Sequence, residues 1–413
     1  MTRDRSTLSR RRLLVAAPAG ALALASPLLA AAGAEPPASG TAPAVPPLPP
    51  PLSPDVFRAR QERALAEAKK RGFEALVVLP STNLRYVANT DPGRSERLIA
   101  LILRPAAPAT LLTPFFEEER VKQDAVVGRT VSWREHEDPA ALAAKLLSGA
   151  SRIGLEGTTD VFTAGRLRAA TGASLTDATA VFDALRMVKS DAEKELIRDA
   201  AWRTTAAIAA THGRLREGMT EQEVGEILTG EFRTLLVRGG GLVQFGASAA
   251  LPHGGPGERR LQRGDAVLMD CGCRVRGYSS DVTRTVAFGT PPDDVRKVYA
   301  AVDGAQRAGL HAFRAGAVPE EVDRAARKVI EDAGWGDFFT HRLGHGLGMD
   351  GHEPPYLVRG NRVPLAAGNV CTIEPGVYLP GRFGVRIEDD AAATDGGNEP
   401  LSTRPPELLV LTP

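Results

Sequence analysis

Four acidic residues of this chain stand inside short apolar segments, where an unpaired carboxylate is costly. Asp270 ends the apolar run at 266–269, and Asp281 follows it after a short turn that contains glycine and serine. Glu374 and Glu388 each stand in a further apolar segment typical of a buried strand. Burying a carboxylate costs several kcal/mol unless it is paired or bound to a metal. Because clustering four of them would cost more than folding supplies, we predict two divalent metal ions that balance the four charges.

One histidine joins this acidic set. His345 lies in the segment HRLGHGLG, four residues after His341. Two histidines at this spacing also occur in the zinc helix of metalloproteases, but that motif needs a glutamate where this chain has Arg342. The glycines of the segment disfavour a helix and indicate backbone packed close to a site. By contrast, His136, His212 and His311 are assigned to the core or the surface.

The chemistry of these donors narrows the choice of metal. The set is rich in oxygen, with one nitrogen and no thiolate, which suits hard to borderline ions. We expect manganese, with cobalt or zinc as alternatives. Alternation along the last strand puts Arg386 on the same face as Glu388.

The first 34 residues have the features of an export signal. Arginines at 10–12 precede an apolar, alanine-rich run from Leu13 to Ala32, and small residues at 32–34 form a cleavage site. The adjacent arginines after a serine favour the twin-arginine route, so we expect a periplasmic or secreted protein. An ordinary Sec signal or a disordered basic tail is the alternative. Pro18, Gly20 and Pro27 make the run a poor membrane span, so no stable span is expected in the mature form.

The remaining length suits two domains behind a linker. Residues 35–54 are rich in proline and are predicted to form an extended, unpacked linker. Residues 55–185 alternate predicted helices and strands, which indicates an α/β domain. Residues 186–413 form the second domain, which contains most of the polar residues in apolar surroundings.

Hydrophobic patterns predict the main elements of both domains. Strands are predicted at 75–79, 98–103, 109–112 and 152–155, and helices at 55–71, 142–147, 191–216, 293–315 and 319–334, with a further helix after Thr220. Ser190 and Glu193 form a capping box at the start of the long helix. Three successive glycines at 239–241 are predicted to break the chain.

Charge and cysteine content exclude several classes of protein. The chain has 51 Lys+Arg and 50 Asp+Glu, a formal net charge of +1, so nothing electrostatic favours nucleic acid or an anionic membrane as partner. Three cysteines, Cys271, Cys273 and Cys371, do not form a disulfide framework and are predicted to be small buried residues. A disulfide from Cys371 to one of the other two stays open in an oxidising compartment.

These motifs resemble those of the pita-bread metallopeptidases, in particular the proline-specific branch of Xaa-Pro dipeptidase (prolidase) and aminopeptidase P. The similar segments are VLMDCGCRVRGYSSDVTRT, HRLGHGLGMDGHEPP, TIEPGVY, FGVRIEDD and ALPHGG, in a region from residue 55 to the C terminus. The resemblance implies an α/β N-terminal domain followed by an α+β pita-bread (creatinase/aminopeptidase-like) catalytic domain. It implies a metal-ligand set that consists of Asp270, Asp281, His345, Glu374 and Glu388.

The resemblance also implies how the ligands share two metal ions. Asp281 and Glu388 bridge both ions, Asp270 completes one site, and His345 with Glu374 completes the other. Glu374 takes the proton when a metal-activated water attacks the scissile carbonyl.

Further implied roles fall on residues around the ligands. His253, His341 and His352 are implied to bind the substrate, and His253 and His352 to contact its carbonyl and the developing oxyanion. Arg386 would orient a ligand carboxylate.

The implied reaction is hydrolysis of the Xaa-Pro bond in dipeptides or short peptides with proline in second position, by a homodimer. A methionine-type or broader aminopeptidase uses the same ligand plan, but the extra domain before residue 185 and the HEPP segment favour the proline-specific branch. A binding module without activity and a creatinase-like, metal-free hydrolase are disfavoured because no ligand position is lost. A side activity on organophosphate esters stays open.

Overall fold

A computed structural model describes residues 45–255, 257–404 and 407–413. The predicted export signal and the first part of the predicted linker lie outside these residues. No helix within these ranges combines the length and the apolar character that a membrane crossing requires.

The first half of the fold is built on one mixed sheet of six strands, in the order β4-β3-β2-β1-β5-β6. The strands are β1 (Ala75–Val78), β2 (Ala100–Leu103), β3 (Thr110–Pro114), β4 (Arg129–Trp133), β5 (Arg152–Leu155) and β6 (Ser174–Asp177). The central strand β1 is parallel to β5 and antiparallel to β2, and all its residues are buried. A continuous apolar run is expected in a strand covered on both faces. The four strands predicted here are therefore confirmed.

Helices cover this sheet. They are α1 (Pro54–Lys70), α2 (Thr82–Ala88), α3 (Glu118–Lys122), α4 (Pro139–Leu146), α5 (Val161–Thr171) and α6 (Thr179–Arg186), with a 3₁₀ turn at Phe115–Glu117. α1 begins at Pro54, where a proline at the first helical position loses no hydrogen bond. The strands β4 and β6 and the helices α2, α3, α5 and α6 were not predicted from the sequence, although Val181, Phe182 and Leu185 form a buried apolar face on α6.

The second half combines four helices with three sheets. The helices are α7 (Asp191–His212), α8 (Glu221–Thr234), α9 (Asp293–Ala312) and α10 (Pro319–Asp332), with 3₁₀ turns at Gly246–Ala250 and Gly336–Phe338. The strands are β7 (Gly239–Phe245), β8 (Ala266–Val275), β9 (Tyr278–Ser279), β10 (Val282–Phe288), β11 (Gly344–Gly346), β12 (Glu353–Leu357), β13 (Val370–Ile373), β14 (Gly376–Leu379), β15 (Phe383–Arg386), β16 (Asp389–Thr394), β17 (Gly397–Pro400) and β18 (Val410–Leu411). One sheet has the order β18-β10-β8-β7, with β9 paired to β8, another has the order β12-β11-β13-β16-β17, and β14 pairs with β15. The capping box of Ser190 and Glu193 at the start of α7 is confirmed.

Three predicted helices end more than one residue earlier than expected. α7 stops at His212, α9 at Ala312 and α10 at Asp332, because turns rather than helix follow at each of these points. Leu215, beyond α7, is buried in the core by such a turn.

The prediction that residues 239–241 break the chain is wrong. The glycines begin β7, and Gly241 pairs with Cys271 of β8. A Cβ atom at Gly241 would meet the carbonyl oxygen of Asp270 at 2.0 Å, whereas one at Gly240 would meet nothing within 4 Å. Gly241 is therefore needed for close contact of two strands beside Asp270.

The prediction of an unpacked linker is wrong for its described part. Leu48 and Leu52 pack against the large core cluster. The buried guanidinium of Arg203 donates hydrogen bonds to the carbonyls of Pro46 and Pro47, at 3.0 and 3.3 Å. Arg276 donates to the carbonyl of Pro49 at 3.0 Å. Proline lacks an N–H but keeps its carbonyl as an acceptor, so a proline-rich segment can still be held by arginine donors.

The three cysteines are buried and unpaired, as small core residues. Burial raises the pKa of the Cys371 thiol to about 12, which keeps it protonated and unreactive.

The two glycines of β7 offer a matched test of this packing. Gly241→Ala should lower the free energy of unfolding by about 1–3 kcal/mol, because its methyl group must displace the backbone of β8. Gly240→Ala should change it by no more than about 0.5 kcal/mol, because its methyl group enters open space. Urea denaturation of both variants measures the difference, and equal losses would contradict the close approach at Gly241.

Candidate active site

Strand register brings the predicted acidic residues together. Thr283 of β10 pairs with Asp270 of β8, so Asp270 lies beside the turn that carries Asp281. Ile373 of β13 pairs with Asp389 of β16, so Glu374 and Glu388 lie just beyond the paired ends of these strands. Asp281, Glu374 and Glu388 thus lie just outside strand ends, whereas Asp270 lies within β8 and is paired on both sides.

The donor atoms form overlapping groups. The ligand atoms of His345, Glu374 and Glu388 lie within 4.8 Å of one another, and so do those of Asp270, Asp281 and Glu388. Glu388 belongs to both groups. A third group of the same size joins Asp281 and His345 to His352. Two groups that share a carboxylate offer neighbouring places for two ions.

The electrostatics of the cluster also fit divalent cations. Burial, together with the neighbouring carboxylates, raises the pKa of Asp281 and of Glu388 well above the usual range. Burial raises the pKa of Glu374 to about 7, although Arg386 opposes this shift. One guanidinium does not balance the charge of four carboxylates. The cluster is therefore stable in its ionised form only with added positive charge.

The backbone carbonyl of the next residue fixes the tautomer of His345. Its Nδ1–H donates to the carbonyl of Gly346 at 3.1 Å, which leaves the lone pair on Nε2. Nε2 lies 3.3 Å from Glu374 Oε1 and 3.8 Å from Asp281 Oδ2. Burial lowers the pKa of His345 to about 3, so the ring carries no proton that would compete with a metal.

Threonines fix two of the carboxylates. Thr283 Oγ1 donates to Glu388 Oε2 at 2.5 Å, and Thr372 Oγ1 donates to Glu374 Oε1 at 3.2 Å. Thr372 Oγ1 also accepts the backbone N–H of His345 at 3.1 Å. Hydrogen bonds of this kind fix the orientation of carboxylate oxygens that would bind a metal.

Arg386 holds Asp270 rather than Glu388 directly. Its Nη2 donates to Asp270 Oδ2 at 2.5 Å, and its Nε donates to Thr283 Oγ1 at 3.2 Å, which connects it to Glu388. Its Nη1 donates to the hydroxyl of Tyr378 at 2.7 Å.

A hydrogen-bond chain leads from Arg386 to His341. Since His341 Nδ1–H donates to the carbonyl of Arg342 at 2.7 Å, its Nε2 accepts from the Tyr378 hydroxyl at 2.9 Å. Both ring nitrogens of His341 are therefore engaged, and burial lowers its pKa to about 4. Its predicted contact with substrate stays a prediction.

The other two predicted histidines lie at the open side of the cluster. His352 is exposed, and its ring centroid lies 3.9 Å from that of His345. His253 is also exposed, next to Pro252, whose carbonyl accepts a hydrogen bond from Arg386 at 3.5 Å. Both rings remain accessible to a substrate.

Tyr378 was missed by the sequence analysis, although a signal existed. In an extended strand every second residue points to the same face, so Glu374, Gly376 and Tyr378 would share one face. A Cβ atom at Gly376 would meet the Tyr378 hydroxyl at 2.4 Å, so the glycine makes room for this ring. The partners of the hydroxyl are Arg386 on the paired strand β15 and His341, which is 37 residues away, and no local pattern predicts this combination.

Comparisons with known proteins agree with this geometry. Residues 195–395 match the model of metallopeptidase family M24, and residues 60–188 match the creatinase/prolidase N-terminal domain. The chain is 36% identical over 373 residues to the probable dipeptidase PepE of Mycobacterium bovis, covering 86% of this chain and 97% of that protein.

Solved structures with the same fold support the predicted architecture. The dipeptidase PepE from Mycobacterium ulcerans is 35% identical, with a TM-score of 0.83 over 88% of this chain and 100% of that one. The Xaa-Pro dipeptidase from Bacillus anthracis is 30% identical, with a TM-score of 0.80 over 86% of this chain and 100% of that one. The predicted α/β N-terminal domain followed by an α+β pita-bread domain is confirmed.

Metal affinity should depend on pH in a defined direction. Because the pKa of Glu374 is raised to about 7 and those of Asp281 and Glu388 are raised further, protons compete with metal at these carboxylates. Affinity for manganese should therefore rise as the pH increases from 6 to 8, with protons released on binding. Calorimetry in buffers of different ionisation enthalpy measures both, and pH-independent binding without proton release would contradict the assignment.

Proposed function

This chain belongs to metallopeptidase family M24, a family of dinuclear-metal enzymes, and from that premise we propose that it hydrolyses Xaa-Pro dipeptides. The observation that carries the proposal is the pair of donor groups that share Glu388, with His352 and His253 accessible beside them. The names of similar proteins, among them a dipeptidase and an Xaa-Pro dipeptidase, support the substrate class.

The proposed ligands would hold two divalent ions. His345 and Glu374 would serve one ion, Asp270 the other, and Glu388 with Asp281 both. Bound ions supply Lewis acidity toward the scissile carbonyl and lower the pKa of a water. Oxygen donors with one imidazole favour manganese, with cobalt or zinc as alternatives.

The chain's own residues would manage protons and orientation. Glu374, with a pKa raised to about 7, is suited to take a proton and return it near neutral pH. His352 and His253 would donate hydrogen bonds to the substrate carbonyl as negative charge develops on its oxygen. Arg386 holds Asp270 in place and, through Thr283, orients Glu388.

Proline in second position suits such a site. An Xaa-Pro bond is a tertiary amide without an N–H, so a protease that binds its substrate as an extended strand loses a hydrogen bond there. A site that relies on histidine contacts to the carbonyl makes no demand for that missing donor.

Arg342 supports dipeptides over longer peptides. Its guanidinium lies 4.5 Å from the Tyr356 ring centroid and contributes to lowering the pKa of His345 and His352. No carboxylate of the described residues pairs with it. A dipeptide carries its C-terminal carboxylate next to the scissile bond, where this unpaired cation could bind it.

Export through the twin-arginine route is proposed from the N-terminal sequence alone. Replacing Arg10 and Arg11 with lysine should block transport, because that route requires the arginine pair, whereas a Sec signal tolerates lysine. Fractionation of the host and sequencing of the mature N terminus measure the outcome. A cytoplasmic wild-type protein that begins at Met1 would overturn the proposal.

A homodimer is proposed as the working assembly. Phe115, Phe116 and Phe162 are 52%, 59% and 71% exposed. They follow β3 and β5, which run in the same direction, so they lie beyond the carboxyl ends of these strands. Exposed aromatic side chains favour association with another copy. Sedimentation equilibrium tests this, and a monomer at micromolar concentration would argue against it.

A peptide panel tests the proposed substrate. With manganese, the protein should cleave Ala-Pro faster than Ala-Pro-Ala and should leave Ala-Ala and Met-Ala-Ser largely uncut. Turnover of Met-Ala-Ser alone would identify a methionine-type aminopeptidase instead. Turnover of Ala-Pro-Ala without Ala-Pro would identify an aminopeptidase P, and no turnover of any peptide would sink the proposal.

Arg342→Met provides the matched control for the dipeptide preference. Alanyl-prolinamide has the same scissile bond as Ala-Pro but no carboxylate. The variant should lose about tenfold in kcat/KM on Ala-Pro, as expected for one charge-assisted hydrogen bond, and little on the amide. Equal losses on both would show that Arg342 does not bind the carboxylate.

A further inference from the structure

The loop that carries His352 has little regular structure of its own. Residues 347–352 connect β11 to β12, and no strand or helix includes them. Gly348 accepts a hydrogen bond from the backbone N–H of Ser279 at 2.7 Å. The backbone N–H of Leu347 also donates to the carbonyl of Val370 at 3.0 Å. Both bonds hold the start of the loop, and among the described residues no backbone hydrogen bond joins residues 350–352 to another segment. Other anchors must therefore fix the exposed ring of His352 above His345.

Those anchors are two carboxylates at the end of the loop. Glu353 is 4% exposed, and its Oε1 accepts a hydrogen bond from Lys189 Nζ at 2.7 Å. Its Oε2 accepts one from Arg186, which also donates to Asp350 Oδ2 at 2.6 Å. Two cations and two anions balance here, and removal of one partner from a buried pair leaves an uncompensated charge.

The anchors reach into the N-terminal domain. Thr82, the first residue of α2, donates from Oγ1 to Asp350 Oδ1 at 2.6 Å. Arg186 Nη1 donates to Asn83 Oδ1 at 2.9 Å, and Asn83 donates to Glu156 at 3.2 Å. The N-terminal domain therefore contacts the His352 loop directly through the side chain of Thr82, 268 residues away in sequence from Asp350.

We propose that Thr82, Arg186 and Lys189 are positioning residues that hold His352 over the metal cluster through Asp350 and Glu353. The N-terminal domain thus contributes to the reaction through this ionic network and without contact to the substrate. The proposal rests on the proposed function, in which His352 contacts the substrate carbonyl.

The network explains other features of the loop. A Cβ atom at Gly348 would meet Glu353 Oε1 at 2.5 Å and Lys189 Cε at 3.0 Å, so glycine leaves room for this ion pair beneath the loop. Lys189 is also fixed from the other side, because its backbone N–H donates to the carbonyl of Gly368 at 2.8 Å. Lys189, and Arg186 through Asn83, are therefore each held by a contact outside the loop.

A double-mutant cycle tests the proposal. Thr82→Val removes one hydroxyl and leaves the two cations and two anions of the network. It should therefore loosen the loop without leaving a buried charge unpaired. It should lower kcat/KM on Ala-Pro about three- to tenfold in the wild-type background, because small misplacement of a catalytic group is costly. In a His352→Ala background the same change should cost less than about 1.5-fold, because Thr82 acts through His352.

Thr171→Val is the matched control. Thr171 is a partly buried threonine of the N-terminal domain whose hydroxyl donates to the carbonyl of Leu167 at 2.7 Å, within α5 and outside the network. It should leave kcat/KM unchanged. Equal losses from Thr82→Val with and without His352, or no loss in either background, would overturn the proposal.

Hydrogen–deuterium exchange gives a readout that does not depend on turnover. Thr82→Val should speed exchange of backbone amides at 347–353 about tenfold or more, and Thr171→Val should not. Unchanged exchange in this loop would also overturn the positioning role. If the wild-type protein cleaved no peptide, the proposed function would fail, and the exchange result would still decide whether the network holds the loop.

Discussion

The concentration of buried negative charge in one place is the constraint on which the rest of this structure depends. Partial or full burial and the neighbouring carboxylates raise the pKa values of Asp281 and Glu388 well above the usual range. Such a cluster would be unstable in its ionised form without cations. The fold maintains it because strand register, rather than side-chain flexibility, fixes where each carboxylate lies.

Hydrogen-bond donors around the cluster divide into two sets with different tasks. Arg386, Thr283 and Thr372 hold the carboxylates themselves. Arg186 and Lys189 lie further out and hold the loop of His352. In the proposed function, the first set orients the carboxylates that would bind metal, and the second set positions His352, which faces the substrate. The N-terminal domain belongs to the second set of contacts, so it would help to position a residue of the catalytic domain.

The sequence predicted the parts of the site that local pattern determines. Carboxylates in apolar strands are visible in any short window, so Asp270 and Glu374 could be identified without a structure. The partners of Arg386 could not, because Tyr378 reaches it through the pairing of β14 with β15, and Thr283 reaches it from a strand of another sheet. The packed proline-rich segment was mispredicted for a similar reason, since Arg203, which fixes it, lies about 157 residues away. Local composition predicts an element, whereas its partners depend on tertiary packing.

The most direct measurement is anomalous diffraction from crystals of the manganese-loaded protein. We expect two peaks separated by about 3.5–4 Å, as in other two-metal sites. One should be in contact with His345 and Glu374, the other with Asp270, and both with Asp281 and Glu388. A single peak, or metal bound away from Glu388, would contradict the account that this carboxylate is shared between two ions.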